Sequence, residues 1–142
     1  MPKSGAHTRW DIKYHFVWLP KYRRRVLCRI PRVQYLKWLL GRIATEYAFE
    51  IVELAVMPDH VHLFVEAPPR YAPAELMNVI KSITAREMFK RFPELREHLW
   101  GGHLWAEGYY IGTVGDKVTT EAVRRYIKDQ KHGLPQLDID SI

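Results

Sequence analysis

Between Glu50 and Ala67 the chain reads EIVELAVM-PD-HVHLFVEA, two runs of β-branched and apolar residues joined by Pro58-Asp59. Two strands separated by so short a turn fold back on each other as an antiparallel hairpin. This hairpin constrains the rest of the fold, because a helical stretch flanks it on each side and a further strand lies beyond each helix. The order is β-α-β-β-α-β, which predicts an α+β, ferredoxin-like (RRM-like) antiparallel sheet with two helices on one face and the other face open.

The elements are legible from their periodicity. Ile12–Leu19, IKYHFVWL, reads as a buried strand that Pro20 ends, followed by the basic loop KYRRR. From Pro31, a residue suited to a helix's first turn, Leu36, Leu39, Leu40, Ile43 and Tyr47 recur at helical spacing. A second helix is expected from about Ala74 to Phe92, with Leu76, Val79, Ile80 and Ile83 on one face and Pro93 as its stop. LREHLWGGH reads as irregular, and Leu104–Val114 as a last strand interrupted by Gly108. Thr119 or Thr120 can cap a final helix running to about His132, followed by a short tail from Gly133 to Ile142.

The 142 residues suit a single domain, 1–142 with its core at about 10–132, and a 47% hydrophobic content can fill that core without cross-links. The one cysteine, Cys28, rules out an internal disulfide and a cysteine zinc cage, and fits a reducing cytoplasm. No apolar run reaches the roughly 18–20 residues needed to cross a bilayer, so no membrane role is expected. The net charge is +6, yet residues 1–37 hold ten Lys and Arg against one acid, Asp11. Such local basicity points to a polyanion, with a solvated surface as the plain alternative.

His60 and His62, two apart in a strand, project from the same face, roughly 6–7 Å apart along it. Val61, Leu63 and Val65 point the other way, into the helix-covered core. Two imidazoles at that spacing can share a metal ion, or can simply be strand residues that hydrogen-bond. Glu66 has the same parity but lies farther along. In the final helix Tyr126 and Gln130 are four apart and share a face. Gln130 can offer an amide oxygen to the same ion and Tyr126 can present its hydroxyl beside it, with Arg124, Arg125, Lys128, Lys131 and His132 as surrounding positive charge. The alternative is a surface helix with a packing tyrosine. Tyr109 and Tyr110 rank lower as nucleophiles, since neighbours in a strand face opposite ways and neither has an aligned amide; a core or interface role suits them better.

Four segments in order resemble one family. MPDHVHLFVE resembles the His-hydrophobic-His (HUH) motif of single-tyrosine transposases of the insertion-sequence-200/605 family. RRYIKDQ resembles their nucleophile helix, and YHFVWLPKYRRRVL and LWAEGYYIGTVG their first and last strand segments. The likeness spans about Trp10 to His132. It implies a nucleoid-associated enzyme that cuts and rejoins single-stranded DNA through a 5′-phosphotyrosine. Tyr126 would be the nucleophile, and His60, His62 and Gln130 the ligands of Mg²⁺ or Mn²⁺. It also implies a homodimer whose sheets join edge to edge and whose sites are shared between chains, and DNA hairpins at the element's ends as partners. Lys21, Arg23, Arg24, Arg25, Arg86, Lys90 and Arg91 are the candidate phosphate contacts, alongside Arg124, Arg125 and Lys128. A replication-initiator or relaxase-like nickase shares this chemistry. A non-catalytic nucleic-acid-binding domain of RRM-like topology shares the fold, and would show exposed aromatics on its central strands and no metal site.

Overall fold

The computed structural model describes residues 3–4, 9–99, 102–113 and 125. A small N-terminal ribbon, β1 (Lys3–Ser4) paired with β2 (Arg9–Trp10), precedes the main body and has no counterpart in the sequence reading. The body follows as β3 (Lys13–Trp18), α1 (Ile30–Tyr47), β4 (Glu50–Met57), β5 (His60–Glu66), α2 (Pro73–Arg91), the single-turn α3 (Leu95–His98) and β6 (Tyr110–Thr113). The four long-range strands form one antiparallel sheet in the order β4-β5-β3-β6. This is the ferredoxin-like arrangement, with the first and third strands of the β-α-β-β-α-β unit side by side at the centre.

The pleat sorts the strands into two faces. Phe16, Trp18, Val61, Leu63 and Val65 point toward the helices and pack with Leu36, Leu40 and Ile43 of α1 and Leu76, Met77, Ile80 and Met88 of α2. All five strand residues are fully buried. A shift of register between Ile51 and Glu53 kinks β4, and beyond it Leu54, Ala55 and Val56 stand opposite Leu63, His62 and Val61. Each helix starts as its residues dictate. Pro31 sits in the first turn of α1, and Pro73 opens α2, where the Glu75 carboxylate accepts a 2.9 Å hydrogen bond from the Ala72 backbone N–H.

The stretch expected as a last strand over Leu104–Val114, interrupted by Gly108, is divided. Trp105 makes an isolated bridge to Pro20, and regular pairing resumes only at Tyr110. Two causes are visible. Gly108 adopts a left-handed φ of 81°, which turns the chain out of the extended state. Lys81 of α2 also donates to the carbonyls of Ala106 (2.8 Å) and Gly108 (3.0 Å), satisfying them away from the sheet. Trp105 is held by its indole N–H donating to Thr84 Oγ1 (2.9 Å) and by edge-on contact with Trp18. Of LREHLWGGH, expected to be irregular, the first four residues form α3. The described residues contain no helix long and apolar enough to cross a membrane.

Candidate active site: a histidine cluster on the second face of the sheet

His60 and His62 lie on the sheet face opposite the helices, as their parity predicts. Their rings meet edge to face, with centroids 4.9 Å apart. Register adds a third ring. Val17 stands opposite His62 and His15 opposite Phe64, which places His15 diagonally beside His62. The rings of His15 and His62 stack at 5.4 Å, and His15 Nε2 lies 3.2 Å from His62 Nδ1. The Tyr110 ring approaches His15 edge-on at 5.8 Å from the next strand.

The expectation of an open face is corrected at this point. His62 is fully buried, and His60 and His15 are 7% and 8% exposed. Val17, Ala55 and Phe64 on the same face are fully buried as well. Burial has an electrostatic consequence: desolvation pushes the pKa of His15 down to about 4, so its ring is neutral at physiological pH. A neutral His15 can accept at Nε2 from Nδ1–H of His62, and that tautomer puts the His62 lone pair on Nε2.

His60 is oriented from the other side. Its Nδ1 donates to Asp59 Oδ1 at 2.8 Å, and Arg23 Nε donates to Asp59 Oδ2 at 3.0 Å. Burial raises the pKa of Asp59, but the hydrogen bonds and charges of His60 and Arg23 outweigh it and hold the carboxyl below its ordinary range. His60 Nε2 is buried and has no hydrogen-bond partner among the described residues. A buried imidazole nitrogen so placed, next to a second imidazole, fits a metal ligand. No group of three His, Cys, Asp or Glu side chains among the described residues is arranged to hold a metal ion. Glu66 therefore does not join the histidines, for it stands across from Lys13 at the far end of β5.

The remaining expected site residues fall into three places. Tyr126, Gln130, Arg124, Lys128, Lys131 and His132 lie outside the described residues; Arg125 is described as helical and exposed. Lys21, Arg23, Arg24 and Arg25 form the loop after β3, beside the β4–β5 turn and hence beside His60. Arg86, Lys90 and Arg91 are exposed on α2, on the helical side of the sheet, where Arg91 covers the Tyr35 ring. The structure thus brings the basic loop to the histidines and leaves the α2 cations on the other side. Tyr109 packs against Phe16 in the core, whereas Tyr110 faces the histidines. The sequence reading missed His15, Asp59 and Arg23's link to it. A third histidine in the first strand was the available signal for His15, but only the strand register shows which histidine it meets.

Comparison with known proteins gives the family. The family described as "Transposase IS200 like" matches residues 8–130. The chain belongs to this family. It is 38% identical over 128 residues to the ISDra2 transposase TnpA of Deinococcus radiodurans, covering 90% of each chain. To the transposase for insertion sequence element IS200 of Salmonella typhimurium it is 33% identical, over 90% of this chain and 82% of the relative. A crystal structure of a Deinococcus radiodurans R1 protein assigned as a transposase superposes with a TM-score of 0.74 at 38% identity, over 90% of this chain and 97% of that one. A REP-associated tyrosine transposase, solved bound to a REP hairpin, shares the fold with a TM-score of 0.52 at 19% identity, over 92% of this chain and 75% of that one. Within this IS200-like transposase, the histidine cluster is the one buried polar group of rings on the described sheet.

Proposed function

We propose that this transposase cleaves and rejoins single-stranded DNA by transesterification, with Tyr126 as nucleophile and His60, His62 and Gln130 as ligands of Mg²⁺ or Mn²⁺. The observation that carries the reading is the meeting of His60 and His62 at 4.9 Å, with Nε2 of His60 buried and unpartnered among the described residues. Membership of the transposase family supplies the context.

The chain's residues divide the work. His60 and His62, oriented by Asp59 and His15, would hold the ion, with an amide oxygen of Gln130 as the protein's third ligand. When bound there, the ion would supply electrophilic stabilisation of the scissile phosphate and its developing charge. Tyr126 Oη attacks phosphorus as the P–O3′ bond breaks, the phenol proton leaves, and the departing 3′-oxygen takes up a proton to become a 3′-hydroxyl. The product is a 5′-phosphotyrosine, which a later 3′-hydroxyl can attack in reverse to join a new strand. The basic loop Lys21–Arg25, beside the histidines, supplies phosphate contacts. The substrate we infer is a hairpin near the element's end, in keeping with the hairpin bound by the REP-associated transposase. The active form we infer is a homodimer joined through sheet edges.

The test is a covalent protein–DNA band on a denaturing gel after incubation with a single-stranded hairpin substrate and Mn²⁺. Tyr126→Phe is expected to abolish the band, and His60→Ala and His62→Ala to do so nearly as completely. A Tyr126→Phe protein that still forms the adduct would sink the assignment.

A further inference from the structure

We propose that Asp59 and Arg23 are positioning residues for His60, fixing its ring and its tautomer so that Nε2 faces the metal site. The inference rests on the reading of His60 as a ligand and deepens it. Asp59 uses both carboxylate oxygens, Oδ1 for His60 Nδ1 at 2.8 Å and Oδ2 for Arg23 Nε at 3.0 Å. The first bond needs a proton on Nδ1, which leaves the lone pair on Nε2. A carboxylate behind an imidazole also raises its basicity as a ligand.

Arg23 reaches Asp59 because the backbone is bent to bring it there. Tyr22 and Arg23 both have left-handed backbones, with φ of 58° and 51°. Non-glycine residues adopt that region at a cost, and two in succession persist only where surrounding contacts hold them. The holding contacts are visible. Leu27 N–H donates to the Pro58 carbonyl at 3.0 Å, tying the basic loop to the hairpin turn beside Asp59. The buried Arg32 of α1 donates to the Val26 carbonyl at 3.1 Å and secures the loop from behind. The His60 ring is therefore referenced to α1 through Arg32, the loop and Asp59, as well as to its own strand.

The test uses the full-length protein and two readouts. Long-range ¹H–¹⁵N spectra of the metal-free protein above neutral pH report the His60 tautomer. Titration with Mn²⁺ followed by electron paramagnetic resonance reports affinity. The wild type is expected to show His60 protonated at Nδ1 and not at Nε2. Asp59→Asn is expected to lose that fixed tautomer and to bind Mn²⁺ roughly 10- to 100-fold more weakly, with Arg23→Gln smaller in the same direction. A wild-type His60 protonated at Nε2 overturns the proposal without any variant having to fold. If His60→Ala weakens Mn²⁺ binding while Asp59→Asn does not, positioning fails and the ligand assignment survives. If His60→Ala leaves the affinity unchanged, the ligand assignment itself falls, and positioning with it.

Discussion

His15 Nε2 lies 3.2 Å from His62 Nδ1, joining the first strand of the fold to the third through two stacked, buried imidazoles. With His15 held neutral by burial, one ring donates and the other accepts across this contact, so the tautomers of the two rings are linked. His15→Ala opens a cavity and removes a buried partner, and is expected to cost about 2–4 kcal/mol in urea unfolding. His15→Phe restores the volume and the stacking but not the hydrogen bond. It should recover the packing share of the stability but not the share of the lost partner, while leaving Mn²⁺-dependent adduct formation low, which separates packing from orientation.

The basic loop and the α2 cations lie on opposite sides of the sheet, so they should differ toward an unpaired strand crossing the histidines. Log affinity for a short single-stranded oligonucleotide should fall with log salt by roughly 0.7 per phosphate neutralised. Arg24→Gln and Arg25→Gln are each expected to reduce that slope by about this amount, and Arg86→Gln to leave it unchanged. Fluorescence anisotropy across a salt series measures all three, and equal effects from loop and helix would remove the geometric distinction.

Thr84 and Trp105 form a buried polar pair far from the histidines. Thr84→Val keeps the shape but leaves the indole N–H without its 2.9 Å acceptor, at a cost of about 1–3 kcal/mol. Thr84→Ser should recover most of it. Mn²⁺ affinity, read in the same samples, is expected to stay at the wild-type value in both.

Lys81 gives a pH signature. Burial lowers its pKa from the ordinary 10.5, and the charge of Glu107 offsets this only in part. Between its lowered pKa and 10.5 the unfolded chain binds more protons than the folded one. Stability therefore gains a contribution as pH rises through that window. Lys81→Met should lack that rise, so the difference between the two unfolding free energies should change with pH. A difference that stays flat from neutral pH to 10.5 would show that Lys81 titrates normally.

Much of this was legible beforehand because it depends on local periodicity. The two-residue spacing of His60 and His62 put them on one face, and the alternation of apolar strands and helices supplied the topology. His15 was not legible, since its meeting with His62 depends on how the first strand registers against the hairpin, and no local pattern encodes that. Arg23 was legible as a charge but not as a partner of Asp59, because two left-handed residues in succession defy the usual preferences of Tyr and Arg. The break at Gly108 was legible, but not that regular pairing would be confined to Tyr110–Thr113, because the Lys81 contacts that hold the Ala106 and Gly108 carbonyls away from the sheet come from a distant helix.

The two outer strands of the described sheet are not equivalent. β4 is kinked by the register shift between Ile51 and Glu53, so a strand laid along it would have to copy the kink. β6 pairs with β3 in unbroken register over its four residues. Among the described strands, growth of the sheet is therefore polarised, with the regular β6 edge better suited to a further strand than the β4 edge. A homodimer joined through sheet edges, as proposed above, is therefore expected to join along β6 rather than along β4.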